Sequence, residues 1–74
     1  FDIQLEPLTK ELPGFIFEFK HTKDARADLN LLADKALKQI DEKKYDTELR
    51  NEGISPIIKI GIAFRGKNAV VRRA

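Results

Sequence analysis

Glu18 and Lys20 stand two residues apart in an otherwise apolar run, Gly14-Phe15-Ile16-Phe17-Glu18-Phe19-Lys20. Read as a strand, the run places Phe15, Phe17 and Phe19 on one face and Ile16, Glu18 and Lys20 on the other, so the carboxylate and the ammonium are aimed at one place. From Glu-x-Lys alone a solvated strand face is the simpler reading. The preceding residues, Phe1-Asp2-Ile3-Gln4-Leu5-Glu6, alternate apolar and polar and read as a second strand. Pairing the two so that apolar meets apolar sets Leu5 opposite Phe15, Ile3 opposite Phe17 and Phe1 opposite Phe19, since a one-residue slip would put phenylalanines in water. The same register sets Asp2 opposite Glu18. Two carboxylates facing each other across strands repel, and a cation bound between them would explain the arrangement. Asp2, Glu18 and Lys20 thus form one cluster, whose chemistry would be that of a bound cation with a lysine beside it.

The elements that must position this cluster follow from the rest of the chain. Residues Pro7 to Pro13 turn the first strand back into the second. After His21-Thr22-Lys23-Asp24, which offers capping side chains, Leu29, Leu32, Ala33, Ala36, Leu37 and Ile40 recur at helical spacing, predicting one amphipathic helix from Ala25 to about Lys43. Gln39 falls beside the apolar stripe, roughly 80° from its centre, within reach of the rim of the sheet. Tyr45 to Arg50 continue as a short helical piece ended by Asn51-Glu52-Gly53, whose glycine suits a left-handed cap. Ile57 to Phe64 form a nearly continuous apolar strand, as expected of a central strand buried on both faces. Arg65-Gly66-Lys67 turn tightly into a last strand, Asn68 to Arg73.

The order is strand, strand, helix, strand, strand, an α/β fold with a mixed sheet. The helix crossing makes the second and third strands parallel. A central strand apolar on both faces needs cover on both sides, and one substantial helix supplies only one. The expected remainder is a helix N-terminal to Phe1 or a partner chain.

Composition sets the class. The chain has 74 residues, 42% hydrophobic and 35% charged, which describes one small soluble domain with a modest core rather than a disordered chain. A net charge of +2 from 14 basic and 12 acidic residues is too even for nucleic-acid binding by bulk electrostatics, so any phosphate contact must be local. The absence of cysteine excludes disulfides, thiolate metal sites and a cysteine nucleophile. No apolar stretch reaches the length of a membrane span and no signal-peptide pattern opens the sequence, so a cytoplasmic, membrane-free location is the default expectation. Phe1 already lies within a strand, and the expectation is a piece of a longer protein. Repeats and low-complexity tracts are not evident.

Taken in order, these residues resemble the PD-(D/E)xK nuclease superfamily, whose signature is an aspartate on one strand and an acidic residue, any residue and lysine on the next. Asp2, Glu18 and Lys20 match it. Within that superfamily, Phe17-Glu18-Phe19-Lys20, then Ala36-Leu37-Lys38-Gln39-Ile40 with Lys44-Tyr45, then Gly61-Ile62-Ala63-Phe64 with Gly66-Lys67 look like the C-terminal nuclease-like domain of bacterial proteins that begin with an AAA-type ATPase domain. The position of the motif's proline is Phe1 here, and the acidic residue that some members carry on an upstream helix has no counterpart in residues 1–74.

The resemblance implies a restriction-endonuclease-like core spanning residues 1–74 and metal-dependent hydrolysis of nucleic acid, DNA ahead of RNA, beside an N-terminal ATPase domain; it leaves homo-oligomers open. Mg2+ or Mn2+ would be held by Asp2 and Glu18, with the Phe19 carbonyl as a third ligand, because magnesium takes one or two carboxylates plus waters and phosphate oxygens. Lys20, a poor base beside carboxylates, is assigned water orientation and charge stabilisation, and Gln39 holds the water or the phosphate. A second reading keeps the fold and drops the chemistry: an inactive docking or nucleic-acid-binding module. His21 and Tyr45 are read as surface and packing residues, Lys67 as a turn residue, and Arg72 and Arg73 as solvated, although these basic groups are available to a nucleic-acid backbone. No Gly-x-x-x-x-Gly-Lys-Ser/Thr pattern occurs, which excludes a P-loop within the chain.

Overall fold

Strand β2 (Gly14–His21) shows the alternation that its residue types dictate: Gly14, Ile16 and Glu18 are buried, whereas Phe15, Phe17 and Phe19 on the other side are half-buried. A computed structural model describes residues 2–6, 12–43 and 45–74, without the side chains of Asp2 and Tyr45. Strand β1 (Asp2–Leu5) pairs antiparallel with β2, setting Leu5 opposite Phe15, Ile3 opposite Phe17 and Asp2 opposite Glu18. The apolar-to-apolar rule therefore selects the observed register. The expected pairing of Phe1 with Phe19, and the turn through residues 7–11, lie outside the described residues.

Strand β3 (Ile57–Arg65) runs parallel to β2 on its other side, and β4 (Asn68–Arg73) returns antiparallel to β3, giving a four-stranded mixed sheet in the order β1-β2-β3-β4. The parallel step is bridged by two helices, α1 (Leu29–Lys43) and α2 (Tyr45–Asn51), so the order is strand, strand, helix, helix, strand, strand. The short helical piece expected at Tyr45 to Arg50 is α2, and the expected order with one crossing helix is met in part because α2 is a separate element. Gly53, at φ 85°, closes it in the left-handed conformation anticipated for that glycine.

Helix α1 begins four residues later than its hydrophobic pattern suggests. Asp24 accepts a hydrogen bond from Arg26 N at 2.9 Å and Ala27 N donates to the Asp24 carbonyl at 3.1 Å, closing a separate turn. Asp28 then caps the helix, its Oδ1 accepting from Asn30 N at 2.9 Å. Short polar side chains compete locally with the helix and win over the first four residues.

Both helices lie on one face of the sheet. Leu29 and Ala33 pack on Ala63 with Leu32 and Val70 around them, and Ile40, Leu49 and Ile54 pack on Ile16 with Leu37 and Ile57. Helix α1 thus runs obliquely, from β4 at its N-terminal end to β2 at its C-terminal end. Arg72 on β4, expected to be solvated, instead reaches α1, donating to Asn30 Oδ1 and pairing with Asp34 at 3.5 Å. Among the described residues no element covers the opposite face. Ile58, Ile60, Ile62 and Phe64 of β3 are therefore half-buried rather than enclosed on both sides as the apolar run suggests.

Candidate functional site

Glu18 is the single buried charged residue among those described, with a relative exposure of 1%. Alternation along β2 puts it on the helix-covered face, one step beyond buried Ile16, and its parallel register partner on β3 is Gly61. That glycine is what admits α1: a Cβ on Gly61 would stand 2.5 Å from the Ala33 carbonyl oxygen and 2.9 Å from Leu37 N. The helix backbone lies directly on the sheet here, and the Glu18–Gly61 row falls between the two apolar clusters.

Taking a carboxylate out of water costs several kcal/mol unless it is paired and hydrogen-bonded. Glu18 is half provided for. Lys43, in the last turn of α1, donates from Nζ to Glu18 Oε1 at 3.2 Å, with its own side chain 43% exposed. Glu18 Oε2 is buried and has no hydrogen-bond partner among the described residues. A buried carboxylate oxygen without a hydrogen bond among the described residues is an acceptor open to a further donor or cation.

Asp2 is the Cα partner of Glu18 across the β1–β2 ladder, so the backbone brings the two acidic positions together as anticipated, although the Asp2 side chain lies outside the described atoms. Lys20, the next position on the Glu18 face, is half-buried, with fully buried Ala63 as its register partner. The Phe19 ring lies on the opposite face, stacked on Phe17 at 6.3 Å between centroids, which leaves its backbone as the part beside Glu18. Gln39 lines a shallow depression on the flank of α1 with Lys35, Lys38 and Glu42, on the helix that also carries Lys43. Its side chain has no recorded contact with the Glu18 carboxylate.

Neighbouring residues with simpler roles separate cleanly. His21 is exposed and tilts against the Phe64 ring at 4.9 Å, on the face away from Glu18. Lys67 sits in the turn beside Gly66, whose φ is 57°. Lys59 joins sheet to helices, contacting Asp41 Oδ1 at 2.6 Å and Asp46 Oδ2 at 3.4 Å. The side-chain bond to Asp41 raises its pKa above the ordinary 10.5; burial opposes this, and the charges of Asp41 and Asp46 add to it. The Tyr45 side chain and Lys44 lie outside the described residues.

Lys43 is the site residue that pattern reading overlooks, yet a signal exists. Leu29, Ala33, Ala36 and Ile40 are the buried stripe of α1, and continuing their spacing of four, three and four residues by three lands on Lys43. A lysine in line with a buried stripe marks a place where the covered face is charged.

Among the described residues no three His, Asp or Glu side chains gather into a metal cluster. What the chain presents is a buried carboxylate with one open oxygen, an acidic position directly opposite on the neighbouring strand, and a lysine one step along the same face. This donor set fits a hard divalent cation that keeps most of its own waters and takes one or two carboxylates. Among the described residues no helix is long and apolar enough to cross a membrane.

A family model described as the PD-(D/E)XK nuclease superfamily matches residues 1–74. Neither a curated protein nor a solved structure matches the chain.

Proposed function

Because the chain belongs to the PD-(D/E)XK nuclease superfamily, we propose that it hydrolyses phosphodiester bonds of nucleic acid with a divalent metal ion held at Glu18 and Asp2. The observation that carries this reading is the burial of Glu18 with an Oε2 that has no hydrogen-bond partner among the described residues. A carboxylate that merely decorated the sheet would sit in water; one buried with an open oxygen opposite a second acidic position is arranged for a cation.

The roles divide by position. Glu18 offers Oε2, Asp2 faces it across the ladder, and the Phe19 carbonyl is the third ligand. A divalent ion at these ligands supplies neutralisation of the phosphate and a more acidic water. Lys20 orients the attacking water and stabilises charge on the phosphate as it builds. Gln39 holds the water or the phosphate from the helix flank. Ile16 and the α1 backbone over Gly61 enclose one side of the Glu18 row, which lowers the local dielectric and strengthens each of these interactions.

The finer reading names Mg2+ or Mn2+ as the ion and DNA ahead of RNA as the substrate. It places the domain, with its restriction-endonuclease-like core, beside an N-terminal ATPase module in a bacterial cytoplasm. Its support is the likeness of residues 17–20, 36–40 and 61–67 to the C-terminal domain of such proteins.

The test is cleavage of labelled DNA and RNA during Mg2+ and Mn2+ titration, with Glu18→Ala and Lys20→Ala in parallel. Metal-dependent cleavage lost in both variants is the expected result. Cleavage absent at every metal concentration, or unchanged in both variants, would sink the assignment.

A further inference from the structure

Lys43 touches the one buried carboxylate among the described residues, and it belongs to neither strand of the motif. Its ammonium donates to Glu18 Oε1 at 3.2 Å, while Oε2, equally buried, has no partner among the described residues. Two oxygens of one carboxylate are therefore differentiated: one held, one open. The holding group is itself well placed. Lys43 follows Ile40, fully buried against Ile16, by one turn of helix, so the base of its side chain is fixed by packing while 43% of the side chain remains exposed. A cation in the last turn also complements the helix dipole, which favours keeping it there.

We propose that Lys43 is a positioning residue of the metal site: it anchors Glu18 through Oε1 and so presents Oε2 to the divalent ion. This rests on the reading of Glu18 as a metal ligand. A glutamate has three side-chain torsions, and a buried one without an anchor turns toward whatever donor it can reach. Partners of this kind, one shell out from a metal, orient the ligand and are typically worth about 10- to 100-fold in metal affinity. The charge on Lys43 makes the proposal sharp. Deleting a cation near a cation site should tighten binding if only electrostatics acts, so the two accounts predict opposite signs.

The experiment is titration of the purified protein with Mn2+ alone, following free Mn2+ by electron paramagnetic resonance, on wild type, Glu18→Gln, Lys43→Met, Lys43→Gln and Lys43→Arg. Wild type is expected to show a site that Glu18→Gln removes, Lys43→Met and Lys43→Gln to weaken it by about tenfold or more, and Lys43→Arg to recover most of the loss. Lys43→Gln, polar but uncharged and one atom too short to reach Glu18 as the ammonium does, decides the matter should Lys43→Met fail to fold. Affinity equal to or tighter than wild type in the folded neutral variant overturns the positioning role while leaving the metal site standing. A wild-type protein without a Glu18-dependent Mn2+ site overturns the metal-site reading itself, and this proposal with it.

Discussion

The carbonyl oxygen of Ala33 in α1 and the α-carbon of Gly61 in β3 approach so closely that no side chain fits between them: a Cβ on Gly61 would meet that oxygen at 2.5 Å. The contact is backbone against backbone, so neither partner has a flexible end to move aside. It sets the height of α1 above the row that holds Glu18, and hence where Lys43 and Gln39 project.

Gly61→Ala should therefore destabilise the fold by roughly 1–3 kcal/mol, the usual cost of overpacking, and toward the upper part of that range because the clash is with main chain. Urea unfolding measures it. A midpoint indistinguishable from wild type would show that α1 does not rest on β3 here.

Glu18→Gln should melt at or above the wild-type temperature. The substitution removes a desolvated charge opposed by a second acidic position, and such groups are commonly kept at a cost to stability. Wild type should gain thermal stability on adding MgCl2 by mass action and the variant should not. A variant that melts well below wild type, or responds equally to the salt, contradicts a metal-binding role for the carboxylate.

Lys20→Ala should leave stability within about 0.5 kcal/mol, as for a half-exposed side chain without a buried partner, and reduce cleavage about 100-fold or more through kcat. Equal kcat in the variant would reassign Lys20 to the structure of the sheet.

Lys59 predicts a pH dependence whose sign follows from its environment. Its pKa in the folded chain lies above the ordinary 10.5, held there first by the bond to Asp41 and then by the charges of Asp41 and Asp46, against the opposing effect of burial. A raised lysine pKa contributes stability that is fully present below 10.5 and is lost as pH rises through the folded value. The stability advantage of wild type over Lys59→Met should be constant at neutral pH and shrink in strongly alkaline solution. An advantage that grows with alkalinity would reverse the assignment.

How much of this was legible beforehand depends on whether a residue's constraint is local. The Asp2–Glu18 pairing could be read because alternation leaves one register that keeps Phe15 and Phe17 off the solvent, and the observed ladder is that register. The turn at Gly66 and the cap at Gly53 were legible for the same reason, each being fixed by a single backbone conformation. The start of α1 was not. Apolar spacing continues back to Ala25, and only the competition between the Asp24 turn and the Asp28 cap decides where the helix begins. Lys43 and Arg72 were hidden differently, since both look like solvated surface until a specific strand and helix are laid together. The path of α1 across the sheet is what brings Lys43 to β2 and Arg72 to the helix, and the close approach rests on Gly61, whose small size shows in the sequence but whose neighbour does not. For the proposed metal site, the residue pattern points to the Asp2, Glu18 and Lys20 positions; that one Glu18 oxygen is held and the other open among the described residues shows only in the folded chain.

The placement of β1 has a consequence for the kinetics of any such site. Asp2 is delivered by a four-residue edge strand paired with β2 alone among the described residues, and its Ile3 and Leu5 are 42% and 49% exposed. Glu18, by contrast, sits in the interior of the ladder. Short, poorly covered edges open far more often than the molecule unfolds, so half of the acidic pair is carried on a segment whose local opening costs less than global unfolding. A site built from both strands would then open and close with β1. Amide hydrogen exchange along residues 2–5 would report its occupancy: fast in the bare protein, slowed by a divalent ion, and slowed little in Glu18→Gln.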